Sequence, residues 1–108
     1  MEKTRNEKIE GMLRALVTEH LNRESNRTSL ITVTHIDLTT DMKNATVYFT
    51  VLPENMENAA VGFMLRQRKY IREYIKKHSQ FRVVPFVETK LDIGEKNRQL
   101  IETLSKKI

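Results

Sequence analysis

The 108-residue chain encodes an α+β domain with the element order α-β-β-α-α-β-α. Three features lead there. Residues 4–22 carry apolar side chains at helical spacing. Two segments rich in β-branched residues, Leu30–Leu38 and Ala45–Leu52, are joined by a short polar stretch that leaves room only for an antiparallel hairpin. Residues 55–78 return to helical spacing before a last apolar run and a terminal amphipathic segment. The length suits one domain, and no repeat, low-complexity tract or linker divides it.

In the first helix, Ile9, Met12, Leu13, Leu16, Val17 and Leu21 fall on one face. Thr4 and Glu7 have the spacing of a capping box. Gly11 weakens the helix interior by about 1 kcal/mol relative to Ala. Asn22–Ser29 is polar and reads as a loop. In the second strand, Ala45, Val47, Phe49 and Val51 share one face, with Tyr48 on the other. Asp41 and Asn44 suit the turn between the strands.

The segment 55–78 does not read as one uniform helix. Met56, Ala60, Phe63 and Met64 make one apolar stripe, and Tyr70, Ile71, Tyr74 and Ile75 make another. Arg66-Gln67-Arg68-Lys69 interrupts the buried face between them. Two helices, or one with a kink, are expected there. Phe81–Leu91 reads as the third strand, with Pro85 at an edge or an irregularity because it lacks an N–H donor. Gly94 breaks the pattern. Residues 95–107 form a final helix, with Leu100, Ile101 and Leu104 on one side.

Charge is concentrated in one place. Between Arg66 and Arg82 lie seven bases (Arg66, Arg68, Lys69, Arg72, Lys76, Lys77 and Arg82) and one acid, Glu73. That is a local +6 in a chain of formal net charge +5; the remaining twelve bases and thirteen acids net −1. Such a cluster attracts and steers a polyanion and is the electrostatic footprint of a nucleic-acid binder. On a helix, Arg68, Arg72 and Lys76 share a face, with Lys69 and Lys77 close by. Arg grips phosphate bidentately; Lys acts as a point charge. The plain alternative is a solvated helix face whose cations suit the helix C-terminus.

Other chemistries find little support. There is no cysteine, which removes disulfides, thiolate metal sites and a cysteine nucleophile. No apolar run approaches the roughly 20 residues that span a bilayer, and the N-terminus lacks the pattern of a signal peptide. Hydrophobic content of 39% argues for a folded chain. His20, His35 and His78 lack metal-ligand spacing. Asp41 and Asp92 are explained by turn and strand-end roles. The three glycines are isolated, so no phosphate-cradling loop is present. No cofactor, metal or catalytic group is expected. Tyr48 and Tyr70 have the chemistry to stack on bases, but packing explains both as well.

The hairpin Leu30-Ile-Thr-Val-Thr-His-Ile-Asp-Leu-Thr-Thr-Asp-Met-Lys-Asn-Ala-Thr-Val-Tyr-Phe resembles that of the ribosome-binding factor A family, with Asp41, Ala45, Val47 and Tyr48 at its marked positions. Tyr70-Ile71-Arg72, Phe81-Arg82-Val83-Val84-Pro85, and Asp92 with Ile101 and Leu104 continue the likeness in order along nearly the whole chain. The resemblance implies a type II KH-like domain over 1–94, with a three-stranded sheet and helices packed on one face. A C-terminal helical tail, 95–108, either packs on the domain or orders only on the ribosome. It also implies a non-enzymatic, cytoplasmic, monomeric assembly factor. Such a factor binds the free small (30S) ribosomal subunit and its rRNA and assists late maturation of 16S rRNA, including its 5′ end.

Two departures stand out. The family's small Ala-x-Gly residues at the inter-helix kink correspond here to Gln67, Arg68 and Lys69, so contact there would run through side chains. Phe86-Val87 replaces Glu-Leu after the proline. The alternatives are a generic KH-like binder of single-stranded RNA and a basic protein-interaction module. An enzyme built on scattered Asp and His is the remotest.

Overall fold

The computed structural model describes residues 5–24 and 30–106, with side chains over 7–24 and 31–102. Helix α1 (Arg5–Glu24) leads into strands β1 (Leu30–Leu38) and β2 (Asn44–Leu52). A 3-10 turn (Glu54–Met56) precedes α2 (Glu57–His78), which is followed by β3 (Phe86–Leu91) and α3 (Ile93–Lys106). The Thr4 half of the expected capping box and residues 25–29 of the expected loop lie outside the described residues, as does the Leu104 side chain.

The sheet order is β1-β2-β3, with β1 antiparallel and β3 parallel to the central strand. The short turn permits the first pairing. The second needs a crossover, which α2 supplies. In the turn, the Asp41 carboxylate accepts from the Thr39 hydroxyl (2.6 Å) and the Lys43 N–H (3.0 Å). These two bonds hold its pKa below the ordinary value, the Thr39 contact first. Met42 takes a φ of 62°, a left-handed conformation unusual for a side chain of its kind.

Ala45, Val47, Phe49 and Val51 are all buried, as their two-residue spacing requires. They meet Leu13, Val17 and Leu21 of α1 and Ala60, Met64, Ile71 and Ile75 of α2. In β1 the apolar residues change phase: Ile31 and Val33, then Ile36 and Leu38. A bulge makes both pairs face the core. Val33 pairs with Phe49 and His35 with Tyr48, leaving Thr34 as the extra residue. At the far end of β1, the Leu38 N–H donates to the Glu10 carboxylate of α1 (2.7 Å).

Three sequence expectations change in detail. The helix after Pro53 runs unbroken from Glu57 to His78, so Arg66–Lys69 does not separate two helices. The reason is chemical. Gln67 does point at α1, and its side-chain oxygen lies 2.8 Å from His20 Nε2 across the interface. A bonded polar pair continues the buried stripe where periodicity called for an apolar residue. His20 is correspondingly buried, tilted against the Tyr74 ring.

Strand β3 begins at Phe86, not Phe81. The preceding residues are irregular, and the Phe86 N–H donates to the Lys43 carbonyl oxygen (2.9 Å), placing Pro85 just outside the ladder. Gly94 does not end a segment; it sits in the first turn of α3. Asp92 caps that helix, its carboxylate accepting from the Glu95 N–H (3.0 Å). The Thr34 hydroxyl donates to the other carboxylate oxygen (2.5 Å), so the β1 bulge and the α3 cap are one hydrogen-bonded unit. Lys96 fastens α3 further through Glu57 (3.0 Å) and Glu54 (3.2 Å).

Candidate nucleic-acid interface

Helix α2 lies across the sheet with one face on α1 and the core and another toward β3. The cations follow from this placement. Core contact fixes the directions of Met64, Ile71 and Ile75, and helical periodicity then turns Arg68, Arg72 and Lys76 toward the β3 side. The segment 79–85 returns along that side and adds Arg82.

Six of the seven predicted residues line two adjoining open depressions. Leu65, Arg66, Arg68, Lys69, Arg72 and Phe86 border one, of about 430 Å³. Lys69, Arg72, Lys76, Arg82, Val83 and Val84 border the other, of about 470 Å³, together with one acid, Glu73. Lys69 and Arg72 belong to both. The seventh, Lys77, faces the α1 side of the helix, in a depression it shares with His20, Arg23 and Tyr70 and with the acids Glu24 and Glu73.

Among the described residues, none of the seven pairs with a carboxylate within 4.0 Å; the ion pairs all lie elsewhere. Their charge is therefore not neutralised by a contact ion pair. Arg66, Arg68, Lys69, Lys76, Lys77 and Arg82 are exposed. Arg68 folds back only far enough for its Nε to donate to the Leu65 carbonyl oxygen (3.1 Å).

Arg72 differs from the rest. It is half-buried, its Nη2 donates to the Val84 carbonyl oxygen (3.2 Å), and its guanidinium lies over the Phe86 ring at 4.6 Å. This arginine ties the irregular 79–85 segment to α2. Charge reversal at Arg72 would therefore disturb the fold as well as the surface.

Sequence reasoning missed the apolar part of this surface. Val83 is 67%, Phe86 63% and Leu65 47% exposed, interleaved with the cations. Val83 and Phe86 read as strand core from their β propensity. The signal available was the proline beside them: it keeps residues 81–85 out of the ladder, where Val83 turns outward while Val84 and Pro85 are buried, and Phe86 then opens the strand on its outer face before the buried Val87. Tyr48 is half-buried on the open sheet face, stacked on His35 at 4.4 Å. Tyr70 is exposed with the Lys69 ammonium over its ring at 4.9 Å. Asp92 sits 3.4 Å from His35 Nδ1. Thr34 first, then the Glu95 N–H, hold its pKa below the ordinary range. Among the described residues no cluster of three acidic or imidazole side chains could hold a metal ion. No described helix is long and apolar enough to cross a membrane.

A sequence model of the family described as Ribosome-binding factor A matches residues 5–105. The chain belongs to the ribosome-binding factor A family. Ribosome-binding factor A of Geotalea uraniireducens (strain Rf4) is 33% identical over 107 residues, covering 96% of this chain and 88% of that protein. The crystal structure of ribosome-binding factor A from Thermus thermophilus superposes with a TM-score of 0.69 at 20% identity, covering 78% of this chain and 92% of that one. A homology model of the Thermus thermophilus factor, fitted into a cryo-EM map of a complex with the 30S subunit, is similar at a TM-score of 0.66 and 20% identity. It covers 75% of this chain and 88% of that one. The α+β, KH-like fold read from the sequence is thus the fold of this family.

Proposed function

We propose that this chain is a non-enzymatic assembly factor that binds the free small ribosomal subunit and assists late maturation of 16S rRNA, including processing of its 5′ end. Family membership across residues 5–105 carries the reading, and a similar member has been fitted into a 30S complex. The chain would act as a cytoplasmic monomer. Its chemistry is binding: a ligand shifts an RNA conformational equilibrium only by its differential affinity for the two states.

In this reading Arg66, Arg68, Lys69, Lys76 and Arg82 meet rRNA phosphates along the α2–β3 side, with Arg72 behind them and Lys77 reaching a strand on the α1 side. Six exposed cations without carboxylate partners within 4.0 Å, among the described residues, support this assignment. Phosphate contacts of this kind make affinity fall steeply with salt.

Co-sedimentation through sucrose with separated small subunits, large subunits and intact ribosomes tests the proposal. Migration with free small subunits at moderate salt is expected. Equal association with every particle, or none, would contradict it. Comparable affinity for short RNAs and for subunits would instead favour a generic single-stranded RNA binder. Indifference to RNA at physiological salt would favour a protein-interaction module.

A further inference from the structure

We infer that Phe86 is a stacking platform for an unpaired nucleobase, so that the α2–β3 side takes a single-stranded segment of RNA and not a duplex. The inference rests on the RNA-binding reading above and narrows its ligand.

The position of the ring is the first observation. Phe86 is the first residue of β3 and 63% exposed, although an apolar ring of this size is stabilised by burial. The sheet's core takes Val87, the next residue, and leaves Phe86 outside it. The ring is nevertheless held in place. Arg72 stacks over it at 4.6 Å, and Arg72 is itself anchored by its bond to the Val84 carbonyl. The guanidinium covers one face of the ring and leaves the rest of it exposed. An exposed aromatic ring stacks on any nucleobase, whatever its identity.

The surroundings supply the rest of a nucleotide. Arg66, Arg68 and Lys69 rim the same depression as the ring, and Lys76 and Arg82 rim the adjoining one. A base on Phe86 would therefore leave its flanking phosphates beside unpaired cations. An apolar protein partner would have to bury these charges, and an acidic peptide would leave the ring without a flat partner. A duplex offers phosphates but hides the faces of its bases. An unpaired strand satisfies both parts.

The test uses the full chain and an RNA of about ten nucleotides, offered single-stranded or annealed to its complement. The chain contains no tryptophan, so Phe86→Trp introduces a sole indole at the platform. Its emission should be quenched and shifted by the single strand and barely changed by the duplex at matched salt. Phe86→Ala should weaken single-strand binding about tenfold, in the range of base–aromatic stacking. The dependence on salt should stay as in the wild type, because no phosphate contact is removed.

Phe86→Ala binding within twofold of wild type, or Phe86→Trp emission that ignores bound RNA, would overturn the platform. If the wild type still co-sediments with small subunits in that case, the assembly-factor reading survives alone. If the wild type binds neither single strands nor subunits, both fail. Thermal unfolding of each variant confirms that a loss is local; Phe86→Ala removes the ring against Arg72 and should lower the unfolding temperature only slightly.

Discussion

The two sides of α2 are built from the same stretch of sequence and do opposite things. On the α1 side, the buried stripe holds a bonded polar pair, Gln67 with His20, and Tyr74 lies buried between His20 and a stacked His78 at 4.0 Å. On the β3 side, cations stand without carboxylate partners and apolar groups stand in water. A helix serving stability alone would show the first arrangement on its inner face and mixed, self-compensating charge outside. Unneutralised charge interleaved with exposed Val83, Phe86 and Leu65 is instead a surface whose complement lies on another molecule. Arg72 joins the two, because it borders the basic depressions while its hydrogen bond holds the 79–85 segment in place.

The sharpest way to break this contrast is to damage the inner side alone. Ile71 is fully buried among the core residues. Ile71→Ala should destabilise the fold by about 2–5 kcal/mol, the usual range for such a truncation. Chemical denaturation measures the loss. Subunit binding by the remaining folded fraction should be unchanged.

A smaller effect is expected at the polar pair. Gln67→Leu strips His20 of its side-chain hydrogen-bond partner while leaving it buried, at a cost of about 1–3 kcal/mol. His20→Leu in the same chain should recover part of that loss, and a double-mutant cycle would show the coupling. Additive losses would mean that the pair does not act as a unit.

The smallest of the three concerns the cap far from the basic side. Asp92→Ala should cost about 1 kcal/mol of stability near neutral pH through loss of the α3 cap. The pKa of Asp92 is depressed in the folded state by Thr34, the Glu95 N–H and His35. Its contribution is therefore present above its ordinary value of 3.8 and lost as pH falls through the lower folded value. The difference between wild type and Asp92→Ala should accordingly be present at about pH 5 and shrink in stronger acid. A difference that grew as pH fell below the ordinary value of 3.8 would reverse the sign of this assignment.

Much of the fold was legible because it rests on simple periods. The stripe of α1 and the alternation from Ala45 to Val51 each identify one buried face. The break at Gln67 was visible but misread, because apolar counting cannot register a hydrogen bond between residues 20 and 67. The phase change in β1 between Val33 and Ile36 was also in the sequence. It becomes meaningful only when pairing with β2 shows that Thr34 stands outside the register. The basic cluster was legible as charge, whereas its division was not: helix phase against the core decides that Lys77 turns toward α1 and Arg82 joins from a separate segment. The exposed ring of Phe86 was least legible, since a β-prone apolar residue after proline has the composition of a core strand.

The decisive measurement is co-sedimentation of Arg68→Glu/Lys76→Glu with free small subunits, alongside its thermal unfolding. Both side chains are exposed and form no ion pair among the described residues. Stability should therefore stay within about 0.5 kcal/mol of wild type. Binding should fall at least tenfold, and the salt dependence should lose about one unit of slope for each phosphate contact removed. A variant that unfolds like the wild type and still sediments with the small subunit at the wild-type level, with the same salt slope, would show that the β3 side of α2 is not the binding surface.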